Sequence, residues 1–186
     1  MKRLTILFLF TLVTAQTGFK KSISIDCFNL PLGTLPLHLS FINDDGNMEL
    51  NIPIYYQLFG KNSPIAKYTG ITKMFMTGIN VRKFPNKSKY GKRFFWGFGS
   101  RLYYFEDNPK ESIFGDFYKD DKQTNQTTIL TLEPDFGYQW SLDGPLFFRI
   151  PFGIGVILFG MKNGELVKFD KIRPAAHFSA ELGIKF

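Results

Sequence analysis

At 186 residues the chain is long enough for one domain with a full core, and 44% hydrophobic against 21% charged residues excludes a disordered chain. A net charge of +7 leaves nucleic acid, anionic lipid or simply a basic surface open, and the 22 Phe are an excess that the fold has to explain. The lone cysteine, Cys27, excludes an intramolecular disulfide.

The first element is MKRLTILFLFTLVTAQ, in which Lys2 and Arg3 precede an apolar run and Val13-Thr14-Ala15 offers compact residues at a cleavage site. The run is too short to cross a bilayer as a helix, so it reads as a secretory signal removed near Ala15, leaving 16–186 as one domain. Cys27 lies beyond Lys20 and Lys21 and is not placed for lipid attachment. No later stretch approaches the eighteen or so apolar residues of a membrane helix.

The remainder of the chain has period two. Turn residues divide it into strands expected at 22–30, 34–43, 48–59, 70–83, 93–106, 127–141, 145–159 and 171–186. Met48, Leu50, Ile52, Ile54, Tyr56 and Leu58 share one face of the third strand, opposite Glu49, Asn51, Pro53, Tyr55 and Gln57. In the seventh, Leu146, Phe148, Ile150, Phe152, Ile154, Val156 and Leu158 oppose Arg149, Pro151, Gly153 and Gly155. In the last, Phe178, Ala180, Leu182, Ile184 and Phe186 oppose His177, Ser179, Glu181 and Lys185.

Alternation alone does not say which face meets solvent. A soluble lipocalin-like ring turns its apolar set inward, and a membrane barrel turns it out. Three features favour the second arrangement. The alternate set mixes Gly with charges of both signs, as a narrow polar interior requires. The apolar faces run unbroken for six to eight positions, where a charge at mid-bilayer costs ~2–4 kcal/mol. Tyr56, Phe94, Trp96, Tyr104, Tyr138 and Trp140 fall near strand ends on that face, where interfacial girdles belong. The Phe excess is then expected to face lipid.

With a signal segment, eight alternating strands and a terminal strand ending ELGIKF, the chain resembles small eight-stranded outer-membrane β-barrels of Gram-negative bacteria. NLPLGTLPLHLSF and FGYQWSLDGPLFFRIPFGIGV resemble a group related in architecture to the OmpA, OmpX and OmpW types. The resemblance implies an all-β, eight-stranded antiparallel up-and-down transmembrane barrel in the outer membrane. It also implies Phe186 as an assembly signal read by the barrel-insertion machinery. Even strand number puts both ends in the periplasm, with 31–33, 60–69, 107–126 and 160–170 outside and 44–47, 84–92 and 142–144 periplasmic.

The expected interior is a polar network of Glu49, Arg82, Arg101, Glu133, Asp135, Arg149, Arg173, His177 and Glu181. His177, Ser179 and Glu181 follow the order of a hydrolase's working parts, and an outer-membrane lipid A deacylase uses a similar His-x-Ser pair. Their spacing of about 7 Å along one strand is too long for a direct relay, so no catalytic residue is assigned. His38 and His177 without a third ligand give no metal site, and no cofactor is expected. The acids of 107–126 lack calcium-loop spacing, and Lys83, Lys87, Lys89, Lys92 and Arg93 form a basic turn suited to anionic headgroups.

The expected partners are outer-membrane lipids and the insertion machinery, not nucleic acid, and the chain is expected to be a monomer. A structural or surface-interaction role is the leading expectation. A narrow ion or solute channel, a lipid-modifying enzyme and a soluble binder are the alternatives.

Overall fold

The structure is a computed structural model that describes residues 20–64, 66, 70–85, 92–107, 125–142, 144–167 and 174–186. The expected signal segment, Arg173, the acids between 108 and 124, and Lys87 and Lys89 lie outside the described residues.

Ten strands form: β1 Lys20–Asp26, β2 Thr34–Ile42, β3 Met48–Gln57, β4 Ile71–Lys83, β5 Lys92–Asp107, β6 Asn125–Ser141, β7 Leu146–Lys162, β8 Glu165–Leu166, β9 Pro174–Phe178 and β10 Glu181–Lys185. Neighbours pair antiparallel from β1 through β7, and β10 pairs with both β7 and β1, so eight strands close a ring. The closing seam ends on Lys21 and Phe186, which exchange backbone hydrogen bonds of 3.0 and 2.9 Å. Both lie at the lower end of the ring, the end that carries the turns after β2, β4 and β6. The opposite end is the upper one.

Three expected boundaries move, each for a local reason. The first strand, expected to run to residue 30, stops at Asp26, whose carboxylate accepts from the Phe28 N–H at 2.9 Å and from Asn29 Nδ2. Those bonds bend the chain into the short 3-10 turn Leu30–Leu32, where Pro31 has no N–H to offer a ladder. The seventh strand runs past 159 to Lys162 and turns back at Asn163 and Gly164, both at positive φ of 51° and 86°. That two-residue turn pairs β8 with β7 inside what reads in sequence as one long connection.

The last strand is broken at Ser179 and Ala180, where the Ala180 N–H donates to Asp26 Oδ1 at 3.0 Å. Its register survives the break, since His177 faces Gly153 and Glu181 faces Arg149 on β7. β9 and β10 are therefore one kinked strand with one alternation.

One cross-strand row measures the stagger of the ring. It passes from Lys20 through Ile42, Glu49, Arg82, Gly97, Asp135 and Gly153 to His177. His177 is four residues before Glu181, the partner of Asp26, so it is level with position 30 on β1, ten residues beyond Lys20. A stagger of ten over eight strands tilts them about 40° from the ring axis.

The faces are assigned by burial. Polar and charged side chains are enclosed, including Asp26, Glu49, Asn80, Arg82, Glu133, Arg149 and Glu181, while Leu50, Ile79, Phe98, Leu132, Phe136 and Ile154 are exposed. The expectation that the Phe excess faces outward needs correcting at Phe84, Phe95 and Phe147, which are buried on the inward parity. Phe95 and Phe147 have no exposed surface at all.

Candidate functional site: the enclosed charged network

Alternation places one inward side chain at every second residue, and the stagger decides which of them meet. Along the row from Lys20 to His177, Glu49, Arg82, Asp135 and His177 point inward on β3, β4, β6 and β9. Arg82 Nη1 donates to Glu49 Oε1 at 3.1 Å, and Arg82 Nε donates across β5 to Asp135 Oδ2. His177 reaches back across β7, with Nε2 3.4 Å from Asp135 Oδ1 and Nδ1 2.6 Å from Glu133 Oε2.

Glycine at the intervening positions makes these reaches possible. A Cβ on Gly97 would collide with the β4 backbone at Val81 and Arg82, and one on Gly153 would overlap the His177 ring. The glycines of the polar face are thus the space into which the long side chains extend.

Arg149 joins opposite walls. β7 and β3 are four strands apart by either route around the ring, so a direct contact between them must cross the interior. Arg149 Nη1 and Nη2 donate to Glu49 Oε1 and Oε2 at 2.8 and 2.7 Å, a bidentate fork. The same guanidinium donates to Gln139 Oε1 from Nε and Nη2, at 3.2 and 2.6 Å, and to Glu181 Oε2 at 3.4 Å. Its faces are covered by Phe147, Phe95 and Phe84, with ring centroids 5.0, 5.5 and 6.0 Å from Cζ. Arg82 lies 4.9 Å from the Phe95 centroid. The three rings thus pack around Arg149, and Phe95 also meets Arg82, toward the lower end, where Lys185 donates to Ser141 and Arg93 to the Gly46 carbonyl.

Higher up, Glu181 Oε2 accepts from Ser24, and its Oε1 is 3.5 Å from His38 Nδ1. Tyr55 donates its hydroxyl proton to Asp26 Oδ2 at 2.9 Å, so the 3.0 Å contact between His38 Nε2 and Tyr55 Oη has the imidazole as donor. With the Phe28, Asn29 and Ala180 donors, the Asp26 carboxylate ties together the end of β1, the kink before β10 and the wall of β3.

Of the nine residues expected in the interior, seven are joined by these contacts, Arg101 is enclosed beside Glu133 with Nε 3.6 Å from Oε2, and Arg173 is outside the described residues. Phe186, expected as an assembly signal, is exposed at the lower seam. Asp26, His38, Tyr55, Asn51, Asn80 and Gln139 extend the network, with Asn80 donating to Asn51 at 3.0 Å. Their inward parity was visible in the alternation, and Asp26 carried a charge on it, but the uncharged Tyr55, Asn51, Asn80 and Gln139 gave no charge signal that would have drawn attention to them.

The His177, Ser179, Glu181 order does not assemble a relay. Both His177 nitrogens face carboxylates of β6, and Glu181 is engaged with Ser24, Arg149 and His38. Neither His38 nor His177 shares a carboxylate partner with the other.

The chain matches no family model, no curated protein and no solved structure. Its functional reading therefore rests on this geometry.

Proposed function

We propose that the chain is a small outer-membrane β-barrel with a structural or surface-interaction role, its eight ring strands crossing the bilayer around a filled interior. The observation that carries this reading is the inverted polarity of the ring. On β4 the outward positions run Lys83, Val81, Ile79, Thr77, Phe75 and Lys73, with charge only at the two ends. The ten residue steps from Lys73 to Lys83 span about 33 Å along a strand, and a tilt near 40° reduces that to about 25 Å across the belt, the height of a barrel's apolar band.

Lys73 pairs with Glu106 at 3.1 Å, and Glu106 accepts from Tyr104 at 2.6 Å, so the upper edge of the belt is marked on two strands. At the lower edge Tyr138, Trp140 and Phe148 stack with centroids 4.7 and 5.7 Å apart, which suits an interfacial girdle. The outward series of β5 from Phe94 to Leu102 and of β7 from Leu146 to Leu158 carries no charge.

A water-soluble ring of this sequence would expose that whole belt, far beyond an ordinary surface patch. Lipids are the partners that fit it, with Lys83 and Arg93 at the lower edge suited to headgroups. The resemblance noted for the last strand adds the barrel-insertion machinery as a partner in assembly, and the export segment expected from the sequence favours the outer membrane as location. Conduction is the weaker reading, because an ion would have to pass Arg82, Arg149, Phe95 and Phe147, none of which has exposed surface. Among the described residues no nucleophile and base are assembled to support catalysis.

Cell fractionation followed by electrophoresis in detergent, with and without boiling, tests the proposal. An outer-membrane band whose migration changes on heating is the expected result. A soluble species with one mobility contradicts it.

A further inference from the structure

The three enclosed guanidinium groups differ in how their donors are met. Arg149 makes five hydrogen bonds and Arg82 two. Among the described residues Arg101 makes no comparably short bond and meets the Tyr103 hydroxyl only weakly, although its side chain is only 5% exposed and its Nε is enclosed without a partner. Its nearest acid is Glu133, with Oε2 3.6 Å from Nε, outside hydrogen-bond range.

Glu133 stays out of range because it is committed elsewhere. Its Oε1 accepts from Thr131 at 2.7 Å and more weakly from Tyr103 at 3.5 Å, and its Oε2 faces His177 at 2.6 Å. Opposite Arg101 on β4 stands Gly78, which offers no side-chain acceptor. A guanidinium group carries five donors and stays charged, so burying it without acceptors is costly until one arrives.

The lower side of Arg101 is closed. Phe84, Phe95 and Phe147 lie below it, packed against Arg149, with Phe95 also against Arg82. The next inward residue above it on β5 is Tyr103, which is half-exposed.

We propose that Arg101 is the floor of an oxyanion-binding site entered from the upper mouth of the ring, with the Tyr103 hydroxyl as second donor. The ligand class is a small solute bearing a carboxylate or a phosphate group. The planar guanidinium fork receives two oxygens of either group at once, and Glu133 beside Nε confines the anion to the terminal nitrogens. The site depends on the ring interior alone and stands whether lipid or water surrounds the outer face.

The test uses the full chain purified in detergent and titrated with inorganic phosphate and, separately, with acetate, against chloride at matched ionic strength. Calorimetry and the unfolding temperature are the readouts, and the heat shift in electrophoresis checks that each variant is folded. Saturable binding of at least one oxyanion is expected, weakened at least tenfold in Arg101→Gln, less in Arg101→Lys, and also weakened in Tyr103→Phe. A response confined to acetate identifies a carboxylate ligand, and one confined to phosphate identifies a phosphate-bearing one.

No saturable response to either anion overturns the site, as does binding that is equal in the original chain and in Arg101→Gln. Should Arg101→Gln not fold, unchanged affinity in both Arg101→Lys and Tyr103→Phe overturns it equally.

Discussion

The lower and upper halves of the interior are built from the same residue types on the same strand parity, yet they do different things. Below, Arg149 is gripped by Glu49, Gln139 and Glu181 and covered by three Phe rings. Above, Arg101 has a carboxylate near it that other donors have taken. The difference lies in the supply of acceptors around each guanidinium, which the ring's stagger and its glycines determine. The lower half is therefore a structural plug, and the upper half holds donors to spare.

The comparison is broken or sharpened most strongly by removing one arginine at a time. Arg149→Ala leaves Glu49 and Glu181 with Arg82 as their shared guanidinium in place of two, and a loss of about 3–5 kcal/mol is expected for a broken buried pair. Urea unfolding in detergent, followed by the electrophoretic shift, measures it. Phe147→Ala removes the ring over that guanidinium, and the same assay should show a loss of about 3–5 kcal/mol, the usual range for a buried Phe.

A middle-sized effect separates the outer face from the inner one. Ile79→Arg places a charge midway up the apolar belt, and refolding equilibria in lipid vesicles should show about 2–4 kcal/mol of destabilisation. Lys73→Ala at the belt's edge should leave the same equilibrium nearly unchanged, as for other exposed ion pairs.

Gly153→Ala forces a methyl into the His177 ring and should cost about 1–3 kcal/mol in the urea assay, the range for overpacking. The smallest effect is expected for Arg101→Gln without added oxyanion. It alters only a weak contact to Tyr103 and a long ion pair to Glu133 among the described residues, so a change within about 1 kcal/mol is predicted. A loss as large as that of Arg149→Ala would erase the contrast between the two halves.

Much of this was legible in the sequence, because a strand's alternation is a local property. Period two located the strands and told which side of each shares a face, and it put Glu49, Arg82, Arg101, Glu133, Asp135, Arg149, His177 and Glu181 on one set. It did not say who pairs with whom. Glu49 and Arg149 are a hundred positions apart and meet only because the ring closes with a ten-residue stagger, a property of the whole sheet.

The inward Phe residues were hidden for a different reason. Phe94 and Phe95 are adjacent, as are Phe147 and Phe148, and an apolar pair occupies both faces whatever the parity. The early stop of β1 depends on Asp26 bonding its own turn and the distant Ala180, a competition that strand propensity does not register.

The most direct test of the central claim, that the outward belt meets lipid, uses the chain's two tryptophans, Trp96 and Trp140. The chain is reconstituted into vesicles of lipids brominated at defined depths, and fluorescence quenching is compared with that by aqueous iodide, with Trp140→Phe isolating Trp96. The account predicts strong quenching of both by bromine placed near the glycerol end of the acyl chains, with Trp96 responding to the deeper label and iodide having little effect. Efficient iodide quenching without a lipid effect would mean that the apolar belt faces water or another protein, and the membrane reading would be wrong.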